Sequence, residues 1–199
     1  MFACATYPRD QPFLDNVKAE VVEQVARLSS HASIVLMGTN NENEIGMSWY
    51  NETRANSHLY IVDYAKLYIE TIREAVRSVN SAIELIISSP SNGQISEDPF
   101  VLRWGDPNSN LYGDVHFYDY EKDCADPDTY PGARFISEFG YQSWPSVDTL
   151  KSVATESDLV WGSEFMNYRQ RHEFGNEQII SQIQSCSMVL IQHQFTSPS

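Results

Sequence analysis

The chain has 199 residues, 42% of them hydrophobic and 12% aromatic, enough apolar material for one sizeable core. A formal net charge of −14 and a sequence pI near 4.6 make nucleic acid and anionic membrane surfaces poor partners. No stretch reaches the roughly 18 apolar residues of a spanning helix, so no membrane partner is expected.

The first residues, Met1-Phe2-Ala3-Cys4-Ala5-Thr6-Tyr7-Pro8, lack the basic start and apolar run of a signal peptide and read as the middle of a strand. Pro12 to Leu28 carries Leu14, Val17, Val21, Val25 and Leu28 at helical spacing, which predicts an amphipathic helix. Ala32 to Met37 is a short apolar run, the pattern of a strand buried on both faces. It breaks into Asn40-Asn41-Glu42-Asn43-Glu44. The triplet Asn51-Glu52-Thr53 is a glycosylation acceptor in a secreted chain. Val62 to Val79 predicts a second helix, with Ala65, Ile69, Ile72, Val76 and Val79 on one side. Ile83 to Ile87 predicts a second buried strand, followed by the loop signal Ser88-Ser89-Pro90-Ser91-Asn92-Gly93. Gly113 to Tyr118 and Ala133 to Ser137 are further strands. Asp148 to Ala154 and Glu164 to Gln184 are further helices. Cys4, Cys124 and Cys186 are odd in number and far apart, so they imply free thiols.

Strands alternating with helices imply an α/β fold of βα units around a parallel sheet. In a (β/α)8 barrel each unit takes about 30 residues, so Glu42 and Glu138 stand about three units apart, at the ends of different strands. That rim is where barrel enzymes keep their catalytic groups, and two such carboxylates suit a carbohydrate hydrolase. Phe117, Tyr118, Tyr141 and Trp144 are aromatics able to stack on sugar rings. The five histidines are scattered and no HExxH spacing occurs, so no metal and no cofactor is expected. Glu44, two residues past Glu42, reads as a supporting or solvated group.

Asn40-Asn41-Glu42-Asn43-Glu44 after an apolar strand, then GDVHFYDY, then RFISEFGYQSWPS, in that order, resemble the β-mannosidases of glycoside hydrolase family 2. Phe2 to Pro8, Ser88 to Gly93 and Arg169-Gln170-Arg171-His172-Glu173 extend the resemblance over roughly residues 1–180. It implies a partial TIM (β/α)8 barrel, approximately strands 3 to 7 with their helices, over residues 1–180, and a divergent tail over 181–199. It implies an exo-acting enzyme that retains anomeric configuration, with Glu138 as nucleophile and Glu42 as acid/base. Asn41 matches the residue that binds the sugar 2-hydroxyl, Tyr118 is placed to bond the nucleophile, and His116 and Trp144 are sugar contacts. The implied partner is a β-mannoside oligosaccharide or an N-glycan core. A lysosomal or secreted location follows for a parent with a signal peptide.

The chain departs from the family at Met37-Gly38-Thr39, where Trp-Ser-Gly is usual. Thr39 would be strained if that position needed a positive φ. The absent barrel strands and accessory β domains mark the chain as a fragment expected to be inactive alone. Another family 2 activity (β-galactosidase or β-glucuronidase) and an inactive carbohydrate-binding remnant are the alternatives.

Overall fold

The structure is a computed structural model that describes the backbone of residues 2–93 and 105–195 and the side chains through residue 185. The side chains of Cys186 and His193 and the last four residues of the expected tail lie outside the described residues. The chain forms two compact units, Met1–His116 with Gly132–Glu138, and Phe117–Pro131 with Phe139–Ser199.

The first unit opens with helix α1 (Gln11–Leu28). Asp10 accepts the Phe13 N–H at 3.1 Å, a cap that supplies one of the first-turn donors with a partner, and Pro12 sits where no helical N–H is needed. Leu14, Val17 and Val25 bury the expected stripe. Strand β1 (Leu36–Asn41) starts four residues later than the apolar run suggested. Val35 is 77% exposed, whereas Thr39 and Asn40 are buried. Polar residues hold the strand because their side chains are satisfied across it. The Thr39 hydroxyl and the Asn40 amide both donate to the Ile87 carbonyl, and Ser88 Oγ donates to Asn40 Oδ1 at 2.8 Å.

Helices α2 (Asn43–Gly46), α3 (Asn51–Ala55), α4 (Ser57–Tyr64) and α5 (Arg73–Val79) lead to β2 (Glu84–Ser89). Residues Ala65–Ile72, between α4 and α5, are π-helical. Of the expected stripe, Ile72 and Val76 are buried and Ile69 and Val79 pack against the core, while Tyr64, Leu67, Tyr68 and Ala75 widen the buried face beyond it. β1 and β2 are parallel, with Met37 opposite Leu85, Asn40 opposite Ser88 and Asn41 opposite Ser89. Their connection through helices makes one βαβ unit. Phe2 forms a parallel bridge on the other side of β1: its N–H donates to the Thr39 carbonyl and its carbonyl accepts from Asn41, both at 2.7 Å. The core joins α1, the π-helical stretch and α5 to Ile83, Leu85 and Ile87.

Strands β3 (Val115–Phe117) and β4 (Ile136–Phe139) form a second two-stranded sheet. The parallel βα arrangement is as expected, but among the described residues the strands make two separate pairs and no closed barrel wall. Gly113 is needed just before β3, since a Cβ there would lie 1.8 Å from the Ser91 carbonyl oxygen.

In the second unit, α6 (Val147–Lys151) is capped by Ser146. The helix expected over 164–184 is broken into α7 (Glu164–Arg169) and α8 (Gly175–Phe195). Gln170 leaves the helix with an extended backbone, and Phe174 takes a φ of 58°. Gly175 is packed against the Gln170 side chain, where a Cβ would come within 2.5 Å. α8 runs through the boundary expected near residue 180. Among the described residues no helix is long and apolar enough to cross a membrane.

Replacing Asn40 by Ala removes the acceptor of the buried Ser88 hydroxyl and of the Asn43 N–H. Asn40→Ala is expected to cost about 1–3 kcal/mol, measured as a lowered urea midpoint against the unsubstituted chain. A midpoint within error of the parent would contradict this account of β1.

Candidate active site

Three chain segments deliver the expected acidic residues to one place in the first unit. Glu42 directly follows β1, Glu138 lies in β4, and His116 lies in β3. Glu42 has φ 60° and ψ 9°, a left-handed conformation that costs a residue with a Cβ roughly 1 kcal/mol. Its N–H donates to the Ser89 carbonyl at 2.8 Å and its carbonyl accepts from Gly46 at 2.7 Å, so the turn is held at both ends. The positive φ therefore falls on Glu42. Thr39 is an ordinary residue of β1, and the strain expected there is not present.

His116 is buried, its side chain 3% exposed. Nδ1 lies 2.8 Å from Glu42 Oε1 and 3.4 Å from Glu138 Oε2. The three donor atoms all fall within 4.8 Å of one another. That spacing suits a cation, and the 2.8 Å from nitrogen to oxygen is also hydrogen-bond distance. Nε2 lies 2.9 Å from Ser89 Oγ. Asp114 Oδ2 accepts from Ser89 Oγ at 2.5 Å and from Ser137 Oγ at 2.7 Å, while Oδ1 accepts from the Ser91 N–H at 3.0 Å. Asn108 brackets the His116 backbone through its N–H and carbonyl.

Asn41 and Cys4 complete this group. The Asn41 amide donates to Cys4 Sγ at 3.1 Å, and the Cys4 thiol donates to Glu42 Oε2, also at 3.1 Å. Partial burial pushes the Cys4 thiol up from its ordinary value, and the hydrogen bond to the Glu42 carboxylate adds to it. Glu44 is buried rather than solvated. Burial holds the Tyr64 hydroxyl well above the usual tyrosine range, and the charge of Glu44 acts in the same direction.

The expected residues thus divide. Asn41, Glu42, His116 and Glu138 come together in the first unit. Tyr118 and Trp144 belong to the second unit. There Tyr118 is exposed and tilted against Tyr120, and the Trp144 indole N–H donates to Asn176 at 3.0 Å. Cys4, Ser89, Asp114 and Ser137 were not anticipated. Their signal in the sequence is position, because Ser89 ends β2 and Asp114 immediately precedes β3, on the carboxyl-end and entry sides of strands.

Two carboxylates at or near strand ends are thus gathered on a buried imidazole in an α/β unit, a grouping of titratable side chains that makes this the candidate site. No family model matches the chain. The chain is 45% identical over 193 residues to a beta-mannosidase of Capra hircus, covering 92% of this chain and 21% of that protein. It is 46% identical over 193 residues to the Bos taurus beta-mannosidase, with the same shares covered. Among solved structures, the beta-D-mannosidase from Dictyoglomus thermophilum matches with a TM-score of 0.66 and 28% identity, over 92% of this chain and 21% of that one. The resemblance read from the motifs is borne out, and the chain spans about a fifth of the length of these relatives.

A raised thiol is a slow nucleophile, since less of it is thiolate at a given pH. Cys4 is expected to react with iodoacetamide at pH 7.5 more slowly than a free thiol in a short peptide, and several-fold faster in Glu42→Gln. Peptide mass mapping resolves Cys4 from Cys124. An unchanged rate in Glu42→Gln would remove the carboxylate as a cause.

Proposed function

We propose that this chain is the catalytic segment of a retaining β-mannosidase. Glu138 attacks the anomeric carbon and Glu42 serves as acid and then base. The observation that carries the reading is the close pair of carboxylates, with oxygens of Glu42 and Glu138 within 4.8 Å. Retaining glycosidases need a separation near 5–5.5 Å, whereas inverting enzymes leave roughly 6.5–9.5 Å for a water. The similarity to beta-mannosidases of Capra hircus and Bos taurus supports mannose as the sugar. The parallel βαβ unit supports a place within a (β/α)8 barrel, about strands 3 to 7, whose remaining strands are supplied by sequence like the rest of those relatives.

In the first step Glu138 is a carboxylate and Glu42 carries a proton. The Glu138–carbon bond forms as the glycosidic bond breaks, and the Glu42 proton goes to the leaving oxygen. In the second step Glu42 takes a proton from water as the water oxygen displaces Glu138. Asn41, next to Glu42 and held by its contact to Cys4, is positioned to bond the sugar 2-hydroxyl. The substrate is a terminal β-linked mannose, as in an N-glycan core.

The test uses a full-length β-mannosidase carrying residues 1–199 in place of its own corresponding segment. Glu138→Gln should lower turnover of an aryl β-mannoside by roughly 10⁴-fold or more. Glu42→Ala should slow hydrolysis of the glycosyl-enzyme by roughly 10²–10⁴-fold, and azide, which needs no general base, should restore turnover as the β-mannosyl azide. Azide rescue of Glu44→Ala with none for Glu42→Ala would reassign the acid/base.

A further inference from the structure

His116 has both ring nitrogens engaged on a buried side chain, and the bonds around it fix where its proton resides. Asp114 as carboxylate offers only lone pairs. At 2.5 Å from Oδ2, the single Ser89 hydroxyl proton points to Asp114, because the opposite orientation would press two oxygen lone pairs together. Ser89 Oγ then faces Nε2 with a lone pair, so Nε2 carries a hydrogen and donates at 2.9 Å. Ser137 donates to the same Asp114 oxygen and the Ser91 N–H holds the other, which fixes the carboxylate.

Nδ1 is left facing two carboxyl oxygens, Glu42 Oε1 at 2.8 Å and Glu138 Oε2 at 3.4 Å. A bare nitrogen lone pair between two anionic oxygens is repulsive, so one proton occupies the Nδ1–Oε1 line. Its two forms, imidazolium with carboxylate and imidazole with carboxylic acid, hold the same single proton. Among the described residues, the charged and titratable groups on this set include Glu42 after β1, Glu138 in β4, Asp114 through Ser89, and the Cys4 thiol on the far oxygen of Glu42.

We propose that His116 is a positioning residue that stores the proton of Glu42, with its tautomer set by Ser89 and Asp114, and that it does not contact the sugar. The role rests on the reading of Glu42 as acid/base. The pair gives its one proton to the leaving oxygen in the first step and regains one from water in the second, so the cycle closes. Between the steps Nδ1 and Oε1 face each other without a proton, and the proton taken from water returns to that line.

The deciding measurement needs no turnover. Long-range ¹H–¹⁵N correlation spectra of the chain, labelled on histidine, should show His116 with Nε2 protonated at neutral pH, either as the Nε2–H imidazole or as imidazolium. Ser89→Ala and Asp114→Asn should shift population toward the Nδ1–H form. A neutral Nδ1–H ring in the unsubstituted chain overturns the proposal, as does a tautomer unmoved in Ser89→Ala. In the full-length enzyme, His116→Gln should lower kcat by on the order of 10-fold or more with KM little changed. A raised KM with unchanged kcat would make His116 a sugar contact and also overturn it. An inactive parent enzyme with an intact Nε2–H ring would sink the glycosidase reading and leave the stored proton standing.

Discussion

The amide of Asn40 is the constraint on which the first unit depends. It is fully buried between two strands, and each of its polar atoms does a different job. Nδ2 donates to the Ile87 carbonyl at 2.7 Å and pins β1 to β2. Oδ1 accepts from Ser88 Oγ at 2.8 Å and from the Asn43 N–H at 3.1 Å, which ties the strand tip to the turn beyond it. Asn43 passes the tie onward, donating to the Tyr68 hydroxyl at 2.6 Å and accepting from the Ala5 N–H at 2.8 Å. Between the two asparagines stands Glu42. Its left-handed backbone is over-determined by these bonds and by its own N–H to Ser89. Net values near 1 kcal/mol for each buried hydrogen bond offset a strain of similar size at one residue.

The π-helical stretch belongs to the same scheme. Leu67 and Tyr68 lie within it and Tyr64 directly before it, and all three are buried, with the Tyr68 hydroxyl bonded to Asn43 and the Tyr64 ring beside it at a centroid separation of 4.9 Å. Phe2 closes the other side, edge-on to both Tyr7 and Tyr68. An aromatic floor thus supports a polar turn. The apolar packing supplies the rigidity, and the amides supply the geometry.

Much of this was legible in the residues. Periodicity located α1 to within a residue, because Leu14, Val17 and Val25 obey the period of a regular helix. In the second long helix it found Ile69, Ile72, Val76 and Val79 but not Tyr64, Leu67 and Tyr68, and the residue types carry no marker of the π-helical stretch. Apolar content misplaced β1, because Thr39 and Asn40 are polar and yet satisfied inside the sheet. The break at Gln170 was missed because nothing in Arg169 to Phe174 is a strong helix breaker, and the turn is held by local bonds, His172 N–H to the Gln170 side chain and Gly175 N–H to the His172 carbonyl. At the site, Glu42 and Glu138 stood out as carboxylates at strand ends. Ser89, Asp114 and Ser137 did not, since short polar residues at strand ends look like loop. The burial of His116 depends on contacts between segments distant in sequence, which no local pattern records.

The left-handed backbone of Glu42 also bears on how this site can decay. The position favours glycine or asparagine on local conformational grounds, and a β-branched residue is the least welcome there. Backbone preference and side-chain bonding therefore pull in opposite directions at one residue. Glycine there would relieve the backbone but take from the buried His116 ring and from the Cys4 thiol the carboxylate that each faces. At Glu42 the gain and the loss fall on different parts of one residue, whereas at Asn40 the strand pairing and the turn would be lost together.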